Sequence, residues 1–417
     1  MTKREILVLH SNFQTEEWFW EEYSRLIGAL TVDCSAHLKI YRPDIAIGAP
    51  DALLIATGGT ESLFKGLLDQ LPEEVVLIAD GRNNSLAAAL EILTFLHSVG
   101  RSGRILHGTP AEIVAAFGQT ASAVIAPTIS ADSLPDIAAP LAGERIGCFG
   151  QPSDWLIASS VSDDVLERYG VEKVFVPFEA LAERIGSIDD CRAKELADTY
   201  LQGVGELVGV DRAAVVESMR IYAALKSFCL DEGLTAVTIR CFDVVERFAA
   251  TSCLALSRLN DEGIVAACEG DMQSMMTMIL IRRKLGKPSF MANPSGVGSS
   301  CRLAHCTVPQ SMCSQVKLRT HFESGLGVAL DGALLGSVYT LVKWGGERLD
   351  RCFVTEARRV ESRWDEHLCR TQITLDKDLS SYLLYNPIGN HHIVVEGSES
   401  AAIERFLRSC HVELIKC

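Results

Sequence analysis

The chain has 417 residues, more than one hydrophobic core usually holds, so two or three domains are expected. Hydrophobic residues at 48% and charged residues at 22% describe an ordinary globular protein. A net charge of −15 argues against a nucleic-acid or anionic-membrane surface, either of which needs a basic patch, and leaves a neutral small molecule open as ligand.

At the start, Met1-Thr2-Lys3-Arg4 leads straight into Glu5-Ile6-Leu7-Val8-Leu9, an apolar run too short for a signal core. No run reaches the length of a membrane span, so a cytoplasmic protein is expected. The fourteen cysteines are scattered without CxxC pairs, which argues against a disulfide framework or zinc ribbon. Cys301, His305, Cys306 and Cys313 form the one tight group, and their spacing matches no common zinc pattern.

The first part alternates strand and helix. Ile6 to Leu9 reads as a buried strand, Glu16 to Leu30 as a helix, and Ala52 to Ala56 as a second strand ending in Thr57-Gly58-Gly59-Thr60-Glu61. Val75 to Ala79 ends in Asp80-Gly81-Arg82-Asn83-Asn84-Ser85 ahead of a helix from Leu86 to His97. This pattern predicts a parallel sheet covered on both faces, with a binding rim at the strand ends. A Pro- and Ala-rich stretch from Ser133 to Gly143 reads as a linker.

A second α/β unit follows. Its strands are Arg145 to Gly150, Gly170 to Val176 and Leu234 to Arg240, and its helices include Asp189 to Leu230, interrupted around Gly203, Gly205 and Gly209. Asp243, just past the third strand, is either a second carboxylate for chemistry, a partner of a ligand, or a cap for a helix from Val244 to Leu259.

From Ala266 to Pro309 the residues become informative about function. Asp271 is placed to cap a helix whose Met272, Met275, Met276, Ile279 and Leu280 fall at helical spacing, and Gly286 is placed to end it. Pro288 to Ala292 then reads as a strand delivering Asn293 into a loop of small residues. Glu269 and Asn293 are separated by enough chain for a strand–helix–strand return to one rim, with His305 close behind. Beyond Pro309, short strands without helical patterns between them suggest an antiparallel domain, closed by a helix from Ser400 to Ser409. Adjacent His391 and His392 sit in a Gly-containing loop, where imidazoles make fair ligands.

Cys-Glu-Gly-Asp (268–271), Phe-Met-Ala-Asn (290–293), Leu-Ala-His-Cys-Thr-Val-Pro (303–309) and Gly-Asn-His-His (389–392), in that order, resemble the motif series of the L-fucose isomerase and L-arabinose isomerase superfamily. Asn83-Asn84-Ser85-Leu86, Arg104-Ile105-Leu106-His107-Gly108 and Ser153-Asp154-Trp155-Leu156-Ile157 resemble segments of its first two domains. The resemblance implies two doubly wound parallel-sheet (flavodoxin-like) domains, residues 1–140 and 141–288, and a mainly antiparallel β domain over 289–417. It implies a cytoplasmic homo-oligomer, trimer or hexamer, that uses a divalent metal, Mn²⁺ in the first instance, to interconvert an aldose and a ketose through an ene-diol.

Carried over, Glu269 matches the first carboxylate ligand and base, His391 the C-terminal histidine ligand with His392 as the alternative, and His305 a further histidine ligand. Asn293 stands where the superfamily has Asp or Glu. An amide can lend its oxygen to a metal but has no basicity for proton transfer. Asp243 and Asp271 are the carboxylates that could replace it. Otherwise the reaction is a different one, a lyase or epimerase acting on a sugar or sugar acid, or the chain is a non-catalytic sugar-binding descendant.

Overall fold

The computed structural model describes residues 3–12, 14–43, 47–118 and 137–416. The first sheet is parallel and contains β1 (Arg4–Leu9), β2 (Ala36–Ile40), β3 (Ala52–Ile55), β4 (Glu74–Ile78) and β5 (Ser102–Leu106) in the order 2-1-3-4-5. That is the flavodoxin-like order, in which loops at the carboxyl ends of the strands form the binding crevice. The expected helix over 16–30 is two helices, Glu16–Glu22 and Ser24–Asp33. They part at Tyr23, whose fully buried side chain donates its hydroxyl to the Ala56 carbonyl and so holds the break against the sheet.

The expected linker falls partly outside the described residues, at 133–136. Beyond it come β6 (Glu144–Phe149) and β7 (Val171–Val176), then β8 (Glu206–Val208) in the glycine-marked interruption, then β9 (Ala236–Ile239) and β10 (Val265–Cys268). Among the described residues, strands β10-β9-β6-β7 form a four-stranded parallel sheet with the order of the first four strands of the first sheet. The helix expected over 244–259 is again two, Cys241–Phe248 and Cys253–Asp261. Ala249 between them adopts φ 49°, and Thr251 bonds both the N–H and the carbonyl of Val328, anchoring the turn.

The remaining strands are β11 (Phe290–Val297), β12 (Cys301–His305), β13 (Cys313–Arg319), β14 (Ala329–Leu334), β15 (Val338–Gly345), β16 (Arg351–Val360), β17 (Thr371–Leu375), β18 (His392–Glu396) and β19 (Glu413–Ile415). Strands β15-β18-β11-β12-β17-β16 pair in turn, and β15 with β16 closes them into an antiparallel barrel. The loop expected from Asn293 is in part strand, since β11 runs on to Val297, and β12 then pairs on both sides, with β11 and β17. β8, from the stretch expected as the second unit, pairs with β13 in a small sheet beside the barrel.

Two helices position the site. Ser85–Ser98 is buried almost throughout, because it packs on the first sheet and against β11 of the barrel. Met272–Leu285 does the same between β10 and barrel strands β15 and β18, which is why Met272 to Ile281 is buried on every face. Asp271 caps it, accepting from the Ser274 N–H at 2.8 Å, and Gly286 ends it in the left-handed conformation at φ 66°.

Candidate functional site

β10 ends at Cys268, and the next residue, Glu269, takes φ 66°. A non-glycine residue there is strained, and such strain gathers at functional positions. Gly270 follows at φ 81°, where an added Cβ would lie 2.6 Å from the Pro152 backbone. The tight turn thus swings the Glu269 carboxylate off the sheet and toward the barrel. The indole Nε1 of Trp155 donates to its Oε2 at 2.6 Å.

The other oxygen faces two histidines. Glu269 Oε1 is 3.7 Å from His391 Nε2 and 3.9 Å from His305 Nε2, and the two rings lie 5.5 Å apart. Behind them His391 Nδ1 meets Asp271 Oδ2 at 2.9 Å, and Lys343 Nζ, fully buried, stands 3.9 Å from the same oxygen. Thr307 meets His305 Nδ1 at 3.1 Å. Burial alone would raise the Glu269 carboxyl, but the charge of His391 and the closeness of the His305 and His391 imidazoles hold it well below the usual range. Burial works against a charged His391, yet Glu269 and Asp271 push it up to about 9. Asp271 is likewise held down at about 2, against its burial, by Lys343 and His391. The carboxylates are thus arranged around a positive charge.

That charge can be a proton or a metal ion. Ligand atoms on one ion with bonds near 2.1 Å stand about 3.0–3.4 Å apart, and both Glu269–histidine separations are longer, so the ligands would draw in around an ion. His391 Nε2 is buried and makes no hydrogen bond, which an ion between it and Glu269 would satisfy. A carboxylate behind the ring, as Asp271 is, orients a ligating histidine. The residues fit a divalent ion. Cys268, Glu269 and His305 also bring one ligand atom each within 4.8 Å of the others. The tight sequence cluster of Cys301, His305, Cys306 and Cys313 is not such a group among the described residues; only its His305 takes part.

His392 does not join this group. Its Nδ1 meets the Asn390 carbonyl at 2.7 Å and its Nε2 the Tyr382 hydroxyl at 3.0 Å, and burial holds it neutral, down at about 3. Asn293, on β11, lines the cavity beside Glu269, and its Oδ1 accepts from Asn390 Nδ2 at 2.9 Å. Asp243 does not reach the group. It lies in the first turn of Cys241–Phe248, paired with Arg240 at 3.1 Å and next to Gly150. Asp271 is near but committed to His391, Lys343 and its helix.

The cavity in front of Glu269 has a volume of about 150 Å³ and is continuous in lining with a smaller one of about 20 Å³. Its walls come from all three sheets' regions. Thr57, Gly58, Gly59, Glu61, Asn83 and Asn84 of the first unit contribute, so the crevice is not confined to the second unit and the barrel. Trp155 and Phe242 stack edge to face at 5.2 Å on the other side. Glu323 lines both cavities and was not singled out from the sequence. Asn84 Nδ2 holds its Oε1 at 2.9 Å, and burial raises its carboxyl above the usual value. The only sequence signal was an acidic residue in the polar loop His321–Gly327.

Parts of the chain are similar to two curated sulfoquinovose isomerases. The protein from Clostridium sp. (strain MSTE9) is 26% identical over 149 residues, 34% of this chain and 32% of that one. The protein from Alkalicoccus urumqiensis is 32% identical over 74 residues, 18% of this chain and 17% of that one. The match thus spans a third or less of the relatives' length. Sulfoquinovose isomerases belong to the L-fucose/L-arabinose isomerase-like superfamily, the group that the four motifs resemble. No protein-family profile matches the chain.

Proposed function

We propose that this chain is a divalent-metal-dependent aldose–ketose isomerase acting on a sugar. The observation that carries the reading is the single Glu269 oxygen set 3.7 and 3.9 Å from the Nε2 atoms of His391 and His305, with Asp271 behind His391. Similarity to sulfoquinovose isomerases supports the reaction class. The oxygen and imidazole donors suit Mn²⁺. Glu269, His391 and His305 would hold the ion, with Asn293 at the cavity wall as a neutral neighbour, and its chemistry is to stabilise negative charge on adjacent sugar oxygens.

The chain's own residues supply the proton traffic. Glu269 Oε2, steadied by Trp155, takes the proton from one carbon of the sugar. Asn293 has no basicity, and Glu323, across the same cavity with its carboxyl raised by burial, delivers a proton on the other side and takes it back in the reverse direction. The aromatic wall of Trp155 and Phe242 keeps water from the reacting carbons. The reading includes three structural units with limits near 140 and 288, and a cytoplasmic trimer or hexamer.

The test is an aldose panel, neutral and sulfonated, incubated with the Mn²⁺-loaded chain in deuterium oxide. Ketose formation with deuterium entering C2 of recovered aldose is expected. Ketose without any such exchange across the panel, or no turnover with any sugar, would sink it.

A further inference from the structure

Cys241 and Cys268 sit at the carboxyl ends of neighbouring parallel strands. Cys268 closes β10 opposite Ile239, and Cys241 opens the helix just past Ile239. Their Sγ atoms are 2.7 Å apart. Atoms merely packed together stand about 3.5–4.0 Å apart. Two thiolates on one zinc ion, each at about 2.3 Å, stand about 3.8 Å apart. A disulfide closes at about 2.05 Å. The observed separation is shorter than packing or a shared ion gives, so the fold already holds these sulfurs close to bonding position.

We infer that Cys241 and Cys268 are a redox pair that a hydroperoxide converts to a disulfide, and that its state decides whether a thiol joins Glu269 and His305 in holding metal. The two sulfurs have distinct roles. Cys241 is the first residue of an eight-residue helix and accepts from the Ser252 hydroxyl at 3.1 Å. Cys268, buried at the end of β10, is the resolving partner. Both line the small cavity of about 20 Å³, large enough for a water-sized oxidant.

Cys241 sulfur attacks one peroxide oxygen and the O–O bond breaks. Sulfenic acid forms on Cys241, and the departing oxygen leaves as water, or as an alcohol, with the proton Cys241 gave up. Cys268 sulfur then attacks the Cys241 sulfur, the S–S bond forms, and hydroxide leaves as water with the Cys268 proton. Two electrons pass from the two thiols to the peroxide. In the reduced chain the Cys268 thiol lies with Glu269 and His305 inside one ligand group, and zinc favours such a thiolate while harder ions do not. In the disulfide that ligand is withdrawn.

The link does not depend on the isomerase reading, whereas its effect on metal choice rests on Glu269 and His305 holding an ion. The reduced full-length chain is treated with stoichiometric hydrogen peroxide, alkylated, digested and mapped by mass spectrometry. A cross-linked Cys241–Cys268 peptide, lighter by two hydrogens and lost on reduction, is expected. Cys268→Ser should instead leave a Cys241 sulfenic acid that dimedone traps. Both thiols alkylated after treatment, or linkage chiefly among Cys253, Cys306 and Cys369, would overturn the pair, and the wild-type map decides this even if the variant misfolds. By calorimetry, the reduced chain should bind zinc about tenfold or more tighter than the oxidised chain. Equal affinity overturns the metal half. Zinc binding by neither form, with the link present, removes the metal reading of the site while leaving the disulfide standing.

Discussion

The two parallel sheets share a topology and each presents its strand ends to the same cavity, yet they supply opposite chemistry. The first offers Thr57, Gly58, Asn83 and Asn84, hydroxyl, amide and backbone groups, with Glu61 as its one carboxylate there. The second offers Glu269 and Asp271, both ionised and both tied to His391. Each sheet reaches the barrel through one buried helix, and each helix carries a buried carboxylate at the junction. Glu91 on the first accepts from the N–H groups of Ala158 and Asn390 and from the Ser159 hydroxyl, at 2.7, 3.1 and 2.9 Å, stitching the three units together. Asp271 on the second aims a histidine instead. A shared topology fixes where a rim lies, and the loops alone decide whether it binds or reacts.

The comparison breaks most visibly if the reacting group is removed. Glu269→Gln should lower turnover about 10²- to 10⁴-fold, with unchanged circular dichroism. Residual activity near wild type would move the chemistry away from the second sheet. Glu323→Gln should lower kcat by about 10²-fold with metal affinity unmoved, and a parallel loss of metal would mean that Glu323 is a ligand rather than a proton carrier.

Asp271→Asn should weaken metal binding about 10- to 100-fold in a calorimetric titration, because it releases the ring that Asp271 orients. Glu61 lies on the first-sheet rim, buried, with its Oε2 unpartnered. Glu61→Gln should raise KM by about tenfold or less and leave kcat nearly unchanged, since one lost hydrogen bond is worth about 1 kcal/mol. A large kcat effect there would erase the division between a binding rim and a reacting rim. The smallest effect is expected from Asn293→Asp, which restores one negative charge beside Glu269 and should tighten metal binding by about tenfold or less.

The order of strands and helices was readable because hydrophobic period and cap residues act locally. Asp271 and Gly286 bound their helix as their side-chain and backbone chemistry demanded. The helix breaks at Tyr23 and Ala249 were not readable, since both are held by contacts with distant strands. β12 was not readable because a run of Cys, Arg, Leu, Ala and His has no clear alternation, and only pairing with β11 and β17 makes it a strand.

For the site, four short motifs in order singled out Glu269, Asn293, His305 and His391, of which the fold brings Glu269, His305 and His391 together. Glu269, His305 and His391 lie at or next to strand ends, where chain direction already limits where a side chain can go, and Asn293 lies within β11. What the sequence could not carry is side-chain direction between neighbours and the company a loop residue keeps. His391 and His392 are adjacent, but successive side chains on an extended segment point to opposite faces, so one meets Glu269 and the other Tyr382. Asp243 had the right strand-end position, yet it turns to Arg240. Glu323 sits in a loop with no pattern of its own and enters the cavity because Asn84, far away in the chain, holds it there. Residue type and period determined the elements and the pool of donors. The packing of the sheets on the barrel decided which donors share a cavity, because burial and charge there depend on groups hundreds of residues apart.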